Sequence, residues 1–418
     1  MRKLGHGNYS SSGIGRQNKR ILDCLRICEE KCTEIFGNIE KICEENSRKV
    51  LKAFIENKVS ENHFRVFTGY GYGNIGKEVL NKLVSQIMCT ESALVDENFI
   101  SATHALNVSL FAITKPGDTI LSVTGAPYDT LKKTIYGKNT GSLRDFGIKF
   151  KISNFKDENF LDLLNNDIKV IYIQRSCGYS LRESLKIRNI ESIIKKIKKR
   201  SDALILVDNC YGEFVQEKEP TEVGADLIVG SLIKNPGAGI APSGAYLAGK
   251  RNLIELCLNR FAFPGAKLGI GPSKYNRELL MGFYYAPMVV KEALKTAVFA
   301  ALFFETLGFE VSPKYNEERS DIIQAINFKN RENLLTFCQE MQSTLAIDSF
   351  VTPTPWKMPG YQNEIIMSSG GFISGSTIEL SCDAPMQKPY SVFLQGGTNF
   401  YMSKFSILNA AMRLVNNQ

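Results

Sequence analysis

Apolar positions along this chain follow two different spacings, and each spacing predicts a different kind of structure. Between about residues 18 and 58 they recur at helical spacing, which predicts one long amphipathic helix. Further along, short apolar segments alternate with polar or helical ones, at 119–123, 170–173, 204–207, 227–230 and 244–248. Such alternation is typical of an α/β fold, in which a mostly parallel sheet has helices on both faces.

The pattern changes again after about residue 270, where helical segments lead to short strand-like segments and a final helix near 404–415. A chain of 418 residues is long enough for a large and a small domain, each with its own core. We therefore predict an N-terminal helical arm over 1–60, a large domain over 61–270 and a smaller α+β domain over 271–418. No internal repeat favours a solenoid instead.

The charge distribution narrows the kinds of partner that we expect. Lys and Arg number 51 and Asp and Glu 43, so the net charge of +8 is mild for this length. The basic segment at 195–200 ends an amphipathic helix, where cations interact favourably with the helix dipole, so we expect no nucleic-acid partner. No apolar segment approaches the roughly 18 residues that cross a bilayer, so we expect no membrane partner.

The cysteines indicate a reducing compartment. The chain has ten of them and begins without an apolar secretory segment, which together favour a cytoplasmic protein. Cys24, Cys28 and Cys32 share one face of the first predicted helix, but no histidine or acidic set completes a zinc site with them. We therefore predict buried thiols and no metal.

Two strand-like segments end in residues with complementary chemistry. Asp208 follows the segment 204–207, and an ionised carboxylate at the end of a buried strand requires a cationic partner. Lys234 follows the segment 227–230, and a lysine amine forms a Schiff base when its site makes it nucleophilic. Open α/β sheets bind ligands at this edge. A strand-end aspartate followed by a strand-end lysine is the minimal pattern of a pyridoxal-phosphate (PLP) site, with Asp208 beside the ring nitrogen.

The phosphate and ring of this cofactor also have candidate partners. Residues 101–105 open an apolar helical segment, and a helix N-terminus binds phosphate through its N–H groups. Ser231 would add a hydroxyl, although a serine at position 101 also suits a simple helix cap. Tyr128 follows the segment 119–123 and would stack on the pyridine ring, although a surface tyrosine is equally compatible with this position.

A dinucleotide-binding enzyme is the main competing hypothesis. Residues 71–76 match G-x-G-x-x-G, and Asp96 lies about where a ribose-binding acid is expected. The fingerprint requires a long apolar strand before the glycines. Here only the short segment 64–67 precedes them, after the polar residues 58–63. This context disfavours the hypothesis.

Several segments resemble one known family. VDNCYGEF at 207–214, VGSLIKNPGAGIAPSG at 229–244 and TGYGYGNIGKEVL at 68–80 resemble the methionine-γ-lyase-like family of aluminium-resistance carbon–sulfur lyases. SATHAL at 101–106, QRSCGYS at 174–180, GSTIELSCDAP at 375–385 and LQGG at 394–397 do so as well. The resemblance implies the aspartate-aminotransferase-like fold type I, whose mostly parallel seven-stranded sheet is flanked by helices and followed by a smaller domain. It also implies a homodimer or homotetramer with shared active sites.

The resemblance further implies roles for individual residues. As in the argument from the strand ends, it implies that Lys234 forms the Schiff base, that Asp208 lies beside the ring nitrogen and that Tyr128 stacks on the pyridine ring. It implies that Tyr70 reaches the neighbouring subunit's site as a cofactor-binding and catalytic residue. Tyr72 stands where the related cystathionine lyases have an arginine, which makes it a candidate substrate contact. The implied phosphate ligands are Ala102, Thr103 and Ser231.

The chain departs from this family where the substrate carboxylate is expected to bind. Cystathionine lyases have an arginine at the position of Glu379, and Gln387 stands where we expect an arginine in the aluminium-resistance proteins. An amide cannot replace a bidentate guanidinium. The cations that would compensate are Lys388, Arg175 and Arg413.

The activity that the resemblance implies is that of a PLP-dependent carbon–sulfur lyase. Its substrate would be a sulfur-containing amino acid of the cystathionine, methionine or cysteine type, and its products a thiol, a 2-oxo acid and ammonia. Candidate substrate contacts are Tyr72, Arg175 and Gln387. Because the expected arginine is absent, the alternative is an aminotransferase-like or non-lyase protein of the same fold with a different ligand. The sequence leaves both β- and γ-elimination open.

Overall fold

The computed structural model describes residues 16–416, except 158, 359, 360 and 362. The α-helices in this part of the chain are α1 (Arg16–Glu56), α2 (Ile75–Ile87), α3 (Ala102–Ile113), α4 (Asp129–Tyr136), α5 (Ile187–Lys198), α6 (Arg251–Phe261), α7 (Asn276–Thr306), α8 (Arg331–Gln342) and α9 (Phe400–Asn416). The strands are β1 (Ser92–Asp96), β2 (Thr119–Ser122), β3 (Lys149–Ile152), β4 (Ile168–Gln174), β5 (Leu204–Asp208), β6 (Leu227–Ser231), β7 (Ala245–Gly249), β8 (Glu310–Ser312), β9 (Ile323–Asn327), β10 (Ile365–Ser369), β11 (Ser381–Pro385) and β12 (Ser391–Gln395). Short 3-10 helices lie at Glu61–Phe64, Phe160–Leu163, Pro220–Val223 and Asn235–Gly237.

A seven-stranded sheet with the order β1-β7-β6-β5-β4-β2-β3 positions the candidate site. Strands β2 to β6 are parallel to one another, and β7 runs antiparallel to its neighbours β6 and β1. Ile205 and Val207 pack into a core on one face of the sheet, and Leu204 and Leu206 pack into a second core on the other. Both faces are therefore covered, which explains the continuous apolar segments. The predicted α/β fold type I is confirmed.

The apolar pattern locates five of these strands, β2, β4, β5, β6 and β7, to within two residues at each end. It does not indicate β1 or β3. Strand β3 lies at an edge of the sheet, where most of its residues are exposed and two are lysines. Strand β1 is short, begins and ends with polar residues, and pairs only with β7 at the opposite edge. Edge strands carry a weaker hydrophobic pattern because one side has no partner.

The C-terminal part contains a second, five-stranded antiparallel sheet with the order β10-β11-β12-β9-β8. Helix α8 packs on β10 and β11 of this sheet, and α9 packs on α8. This arrangement agrees with the expected smaller α+β domain. The predicted boundary near residue 270 falls between α6 and α7, and its position stays a prediction.

Helix α1 packs along α7 and also contacts α9, so the N-terminal arm is tied to the C-terminal part of the chain. Cys24, Cys28 and Cys32 lie on its inner face and are buried, as predicted, and all ten cysteines are free thiols. Among the helices in the described ranges, none is long and apolar enough to span a membrane.

The glycine-rich segment 68–76 lacks the strand that a dinucleotide fingerprint requires. Just before it, Phe67 forms only an isolated bridge with Ser273. Asp96 is buried and forms an ion pair with Lys77, with 2.6 Å between Nζ and Oδ2, so it is not free to bind a ribose. The structure thus excludes the competing Rossmann hypothesis.

The carboxyl ends of the parallel strands bring three polar residues together. Gln174 at the end of β4 pairs in register with Asp208 at the end of β5. Ser231 ends β6, the next strand of the sheet. Because parallel strands end at the same edge, these side chains are neighbours although they are far apart in sequence.

Candidate active site

A cavity of about 510 Å³ lies at this carboxyl edge. Its volume is typical of sites for small molecules and cofactors. Of the residues predicted from sequence, those that line it are Ala102, Thr103, Tyr128, Asp208, Ser231, Lys234 and Gln387. Three predicted residues lie outside its lining, namely Tyr70, Tyr72 and Arg175.

Lys234 lies in the short turn between the end of β6 at Ser231 and the 3-10 helix Asn235–Gly237. Its Nζ lies 3.8 Å from the centre of the Tyr211 ring, and no carboxylate of the described residues comes within 4.0 Å of it. Burial lowers the pKa of the amine, but nearby Cys210, Tyr211 and Asp208 outweigh burial and raise it overall. The amine therefore faces the cavity without an ion-pair partner.

Asp208 lies beneath the same cavity with only 4% of its surface exposed. The Tyr172 hydroxyl donates to Oδ2 at 3.3 Å, and the Cys210 N–H donates to Oδ1 at 3.2 Å. Burial raises the pKa of this carboxyl, although the charge of Lys234 opposes the effect. No cation in the described ranges lies within 4.0 Å, so the site lacks the partner that a buried carboxylate requires. A protonated ring nitrogen fits this position.

The N-terminus of α3 offers donors for an anion. The Ser101 hydroxyl accepts from the His104 N–H at 3.2 Å, while the N–H groups of Ala102 and Thr103 have no acceptor among the described residues. Ser231 lies nearby in the lining with a buried side chain. Free N–H groups and a positive helix end suit a phosphate. With Lys234 and Asp208, the residues present fit pyridoxal phosphate.

Tyrosines form much of the cavity wall. Tyr128 precedes α4, and its hydroxyl lies 3.0 Å from the Thr103 hydroxyl. Burial and the charge of Asp208 raise its pKa well above the usual value, so the phenol stays neutral. Tyr179, Tyr211 and Tyr361 also line the cavity, and sequence reasoning did not identify them. Tyr179 and Tyr211 each lie within a segment that carries the family resemblance, which was the sequence signal for them, whereas Tyr361 lies outside these segments.

Arg175 must be removed from the candidate substrate contacts. Its side chain is completely buried, and Nη1 donates to Asn209 Oδ1 at 2.8 Å and pairs with Glu219 at 3.3 Å. It follows β4, where side chains alternate between the two faces of the sheet, so it points away from the cavity to which Gln174 contributes. The guanidinium is held by the protein itself.

Tyr70 and Tyr72 lie on the surface, with 71% and 75% of their areas exposed and their rings stacked 5.6 Å apart. A single subunit does not bring either residue to the cavity. Gln387 does reach the cavity rim, where its Oε1 accepts from Asn363 Nδ2 at 2.6 Å. Glu379 instead accepts the backbone N–H groups of Phe372 and Ile373 and is a structural residue.

Arg182 lines the cavity and was not identified from sequence. It lies in the loop between β4 and α5, just past the segment that carries the family resemblance. A single arginine in a polar loop has no periodic or positional signal, so only the folded chain reveals where it lies.

Comparisons with known proteins identify the family of this chain. The family described as methionine gamma-lyase matches residues 21–415. The uncharacterized protein YnbB of Bacillus subtilis strain 168 is 44% identical over 395 residues, covering 92% of this chain and 94% of its own. A carbon-sulfur lyase involved in aluminum resistance from Clostridium novyi NT has a TM-score of 0.90 and 43% identity, covering 94% of this chain and 96% of its own.

A more distant solved structure supports the fold alone. The pyridoxal-5'-phosphate-dependent protein YhfS of Escherichia coli has a TM-score of 0.62 at 13% identity, covering 90% of this chain and 97% of its own. The family match extends over nearly the whole chain and includes every element that lines the cavity. This chain therefore belongs to the methionine gamma-lyase family.

Proposed function

We propose that this chain is a PLP-dependent carbon–sulfur lyase that acts on a sulfur-containing amino acid and releases a thiol, a 2-oxo acid and ammonia. The observation that carries the proposal is the pairing of Lys234 and Asp208 at one cavity. Both side chains are ionisable and shielded from solvent, and neither has an ion-pair partner in the described residues. The name of the Clostridium novyi relative and the family match support the reaction class.

Each part of the cavity has a role in this proposal. The first turn of α3 and Ser231 hold the cofactor phosphate, and Asp208 keeps the ring nitrogen protonated. The bound cofactor supplies an electron sink for the negative charge that develops at the substrate's α-carbon. Lys234 would anchor the cofactor, and its amine is the group placed to take the α-proton of the substrate. The Tyr128 ring, which lines the same cavity, would stack on the cofactor ring.

Aromatic side chains form part of the cavity wall. Tyr211 places its ring next to Lys234, and Tyr179 lines the same cavity, where Phe393 packs on it with 5.4 Å between ring centres. A thioether or thiol side chain packs favourably against such rings. This supports a sulfur-containing substrate, while the choice between β- and γ-elimination stays open.

The proposal also includes a homodimer or homotetramer. Tyr70 and Tyr72 are large aromatic residues on a glycine-rich surface loop, and they have no role in the cavity of their own subunit. We propose that Tyr70 completes the phosphate site of a neighbouring subunit. The free state of all ten cysteines supports the proposal of a reducing, cytoplasmic location.

The test is chemical trapping of the cofactor. We expect the purified protein to be yellow, to lose that colour on borohydride reduction, and to carry the reduced cofactor on Lys234 in a peptide map. Lys234→Ala should lose the label, while Lys138→Ala, the same change at an exposed lysine, should keep it. A protein that takes up no PLP, or a label on another lysine, refutes the cofactor assignment.

The reaction class is tested separately with cystathionine, methionine and cysteine. A lyase releases thiol and 2-oxo acid together with ammonia. Transfer of the amino group to an added 2-oxo acid, without thiol release, would instead establish the aminotransferase-like alternative. Tracking ammonia and thiol in the same sample separates the two outcomes.

A further inference from the structure

The carboxylate of an amino-acid substrate needs a cation. Neither of the two positions where an arginine was expected carries a positive charge. Glu379 is an acid, and Gln387 is an amide at the cavity rim. None of the three compensating cations considered from sequence, Lys388, Arg175 and Arg413, belongs to the cavity lining. Within one subunit, the cation would therefore come from elsewhere in the wall.

Within the described lining, Arg182 meets this requirement. The other cations there are Lys132, which pairs with Asp129 at 2.5 Å, and Lys234, which would hold the cofactor. No carboxylate in the described ranges lies within 4.0 Å of the Arg182 guanidinium. A half-buried arginine without a counter-ion is unusual, because burial penalises a charge that is not compensated.

Arg182 is also held rigidly in place. Its Nη2 donates to the carbonyl oxygens of Gln174, at 2.8 Å, and of Ser176, and its Nη1 donates to that of Glu183 at 2.9 Å. A guanidinium has five N–H donors, so Nε–H and one Nη1–H have no partner in the described part of the chain. A fixed cation with free donors loses little conformational entropy when it binds an anion.

We propose that Arg182 binds the α-carboxylate of the substrate, a role that rests on the function proposed above. Gln174, to which Arg182 is anchored, pairs in register with Asp208. The residue that anchors the carboxylate-binding arginine and the partner of the ring nitrogen would then end adjacent strands of one sheet, β4 and β5. The substrate carboxylate would be held by the larger sheet's own loop, without an arginine from the C-terminal sheet.

The test distinguishes binding of the substrate carboxylate from binding of the rest of the substrate. Cofactor-loaded wild type, Arg182→Gln and Arg182→Lys are titrated with L-methionine and with 3-(methylthio)propylamine, which has the same side chain and amine but no carboxylate. The change in cofactor absorbance gives each apparent dissociation constant and requires no turnover. Arg188→Gln is the matched control, because Arg188 is exposed, pairs with Glu318 and lies outside this cavity.

We expect Arg182→Gln to weaken methionine binding about 10- to 100-fold and to change amine binding less than about 2-fold. Arg182→Lys should fall between wild type and Arg182→Gln, because it keeps the charge but not the planar donors. Arg188→Gln should match wild type for both ligands. Unchanged amine binding would also show that the variant cavity is intact.

Three outcomes overturn the assignment. Methionine and amine binding weakened equally in both Arg182 variants would mean that Arg182 only supports the loop. Methionine binding unchanged in both variants would mean that another group holds the carboxylate. Wild type that does not prefer methionine to the amine would mean that no carboxylate site exists. Failure of the lyase function is distinguishable from these, because the spectral response would persist while no thiol is released.

Discussion

Asp383 provides a sharp test of the electrostatics next to the cavity. It lies in β11 with only 1% of its surface exposed. The Tyr179 hydroxyl donates to Oδ2 at 2.6 Å, and the Gln395 amide donates to the same oxygen. Oδ1 is buried and has no hydrogen-bond partner among the described residues. Burial outweighs these two bonds and the charge of Lys234, and raises the pKa of Asp383 to about 6.

The raised pKa makes stability depend on pH in a defined direction. Because the folded chain binds this proton more tightly than the unfolded chain, stability rises as the pH falls from above 6 towards the ordinary value of 3.8. The full difference corresponds to about 3 kcal/mol of folding free energy. Between about pH 7.5 and about pH 5, Asp383 should add about 1.4 kcal/mol to the stability of the wild type.

Asp383→Asn should remove this contribution. The amide keeps an acceptor for Tyr179 and Gln395 but does not titrate, so any packing cost of the change is the same at every pH. Urea unfolding of the cofactor-free proteins gives the free energy of unfolding at each pH. Asp202→Asn, the same change at an exposed position, corrects for the loss of one charge. Parallel pH profiles of wild type and Asp383→Asn would refute the argument.

Three further predictions address the cofactor, the assembly and the core. Asp208→Asn should retain PLP absorbance but lose about 100-fold or more in kcat, because an amide cannot keep the ring nitrogen protonated; near-normal kcat would make Asp208 merely structural. Tyr70→Phe and Lys234→Ala, each inactive alone, should regain part of the activity when co-expressed, and no recovery would argue against shared sites. Phe304→Ala, in a buried cluster of phenylalanine rings, should lose about 3–5 kcal/mol in urea unfolding, whereas Phe350→Ala at an exposed ring should change stability by less than about 0.5 kcal/mol. Equal losses would refute that burial pattern.

The sequence by itself determined the fold class and the location of the candidate cofactor residues. The apolar strands are local signals, because a strand buried on both faces must be apolar along its whole length. Asp208 ends one such strand and Lys234 lies in the turn just after the next, and strands of a parallel sheet end at one edge. Their proximity therefore followed from local pattern and general geometry, without knowledge of any long-range contact.

Only the tertiary structure decided which cations and aromatic residues surround that edge. Arg175 and Arg182 lie close together in sequence, yet one is buried against Glu219 and the other faces the cavity. Tyr179 meets Asp383 across a separation of more than two hundred residues. Loops carry no periodic pattern that predicts where a side chain points, and contacts between distant segments depend on how the whole chain packs. Where these side chains point and which residues they contact therefore depend on the fold of the whole chain.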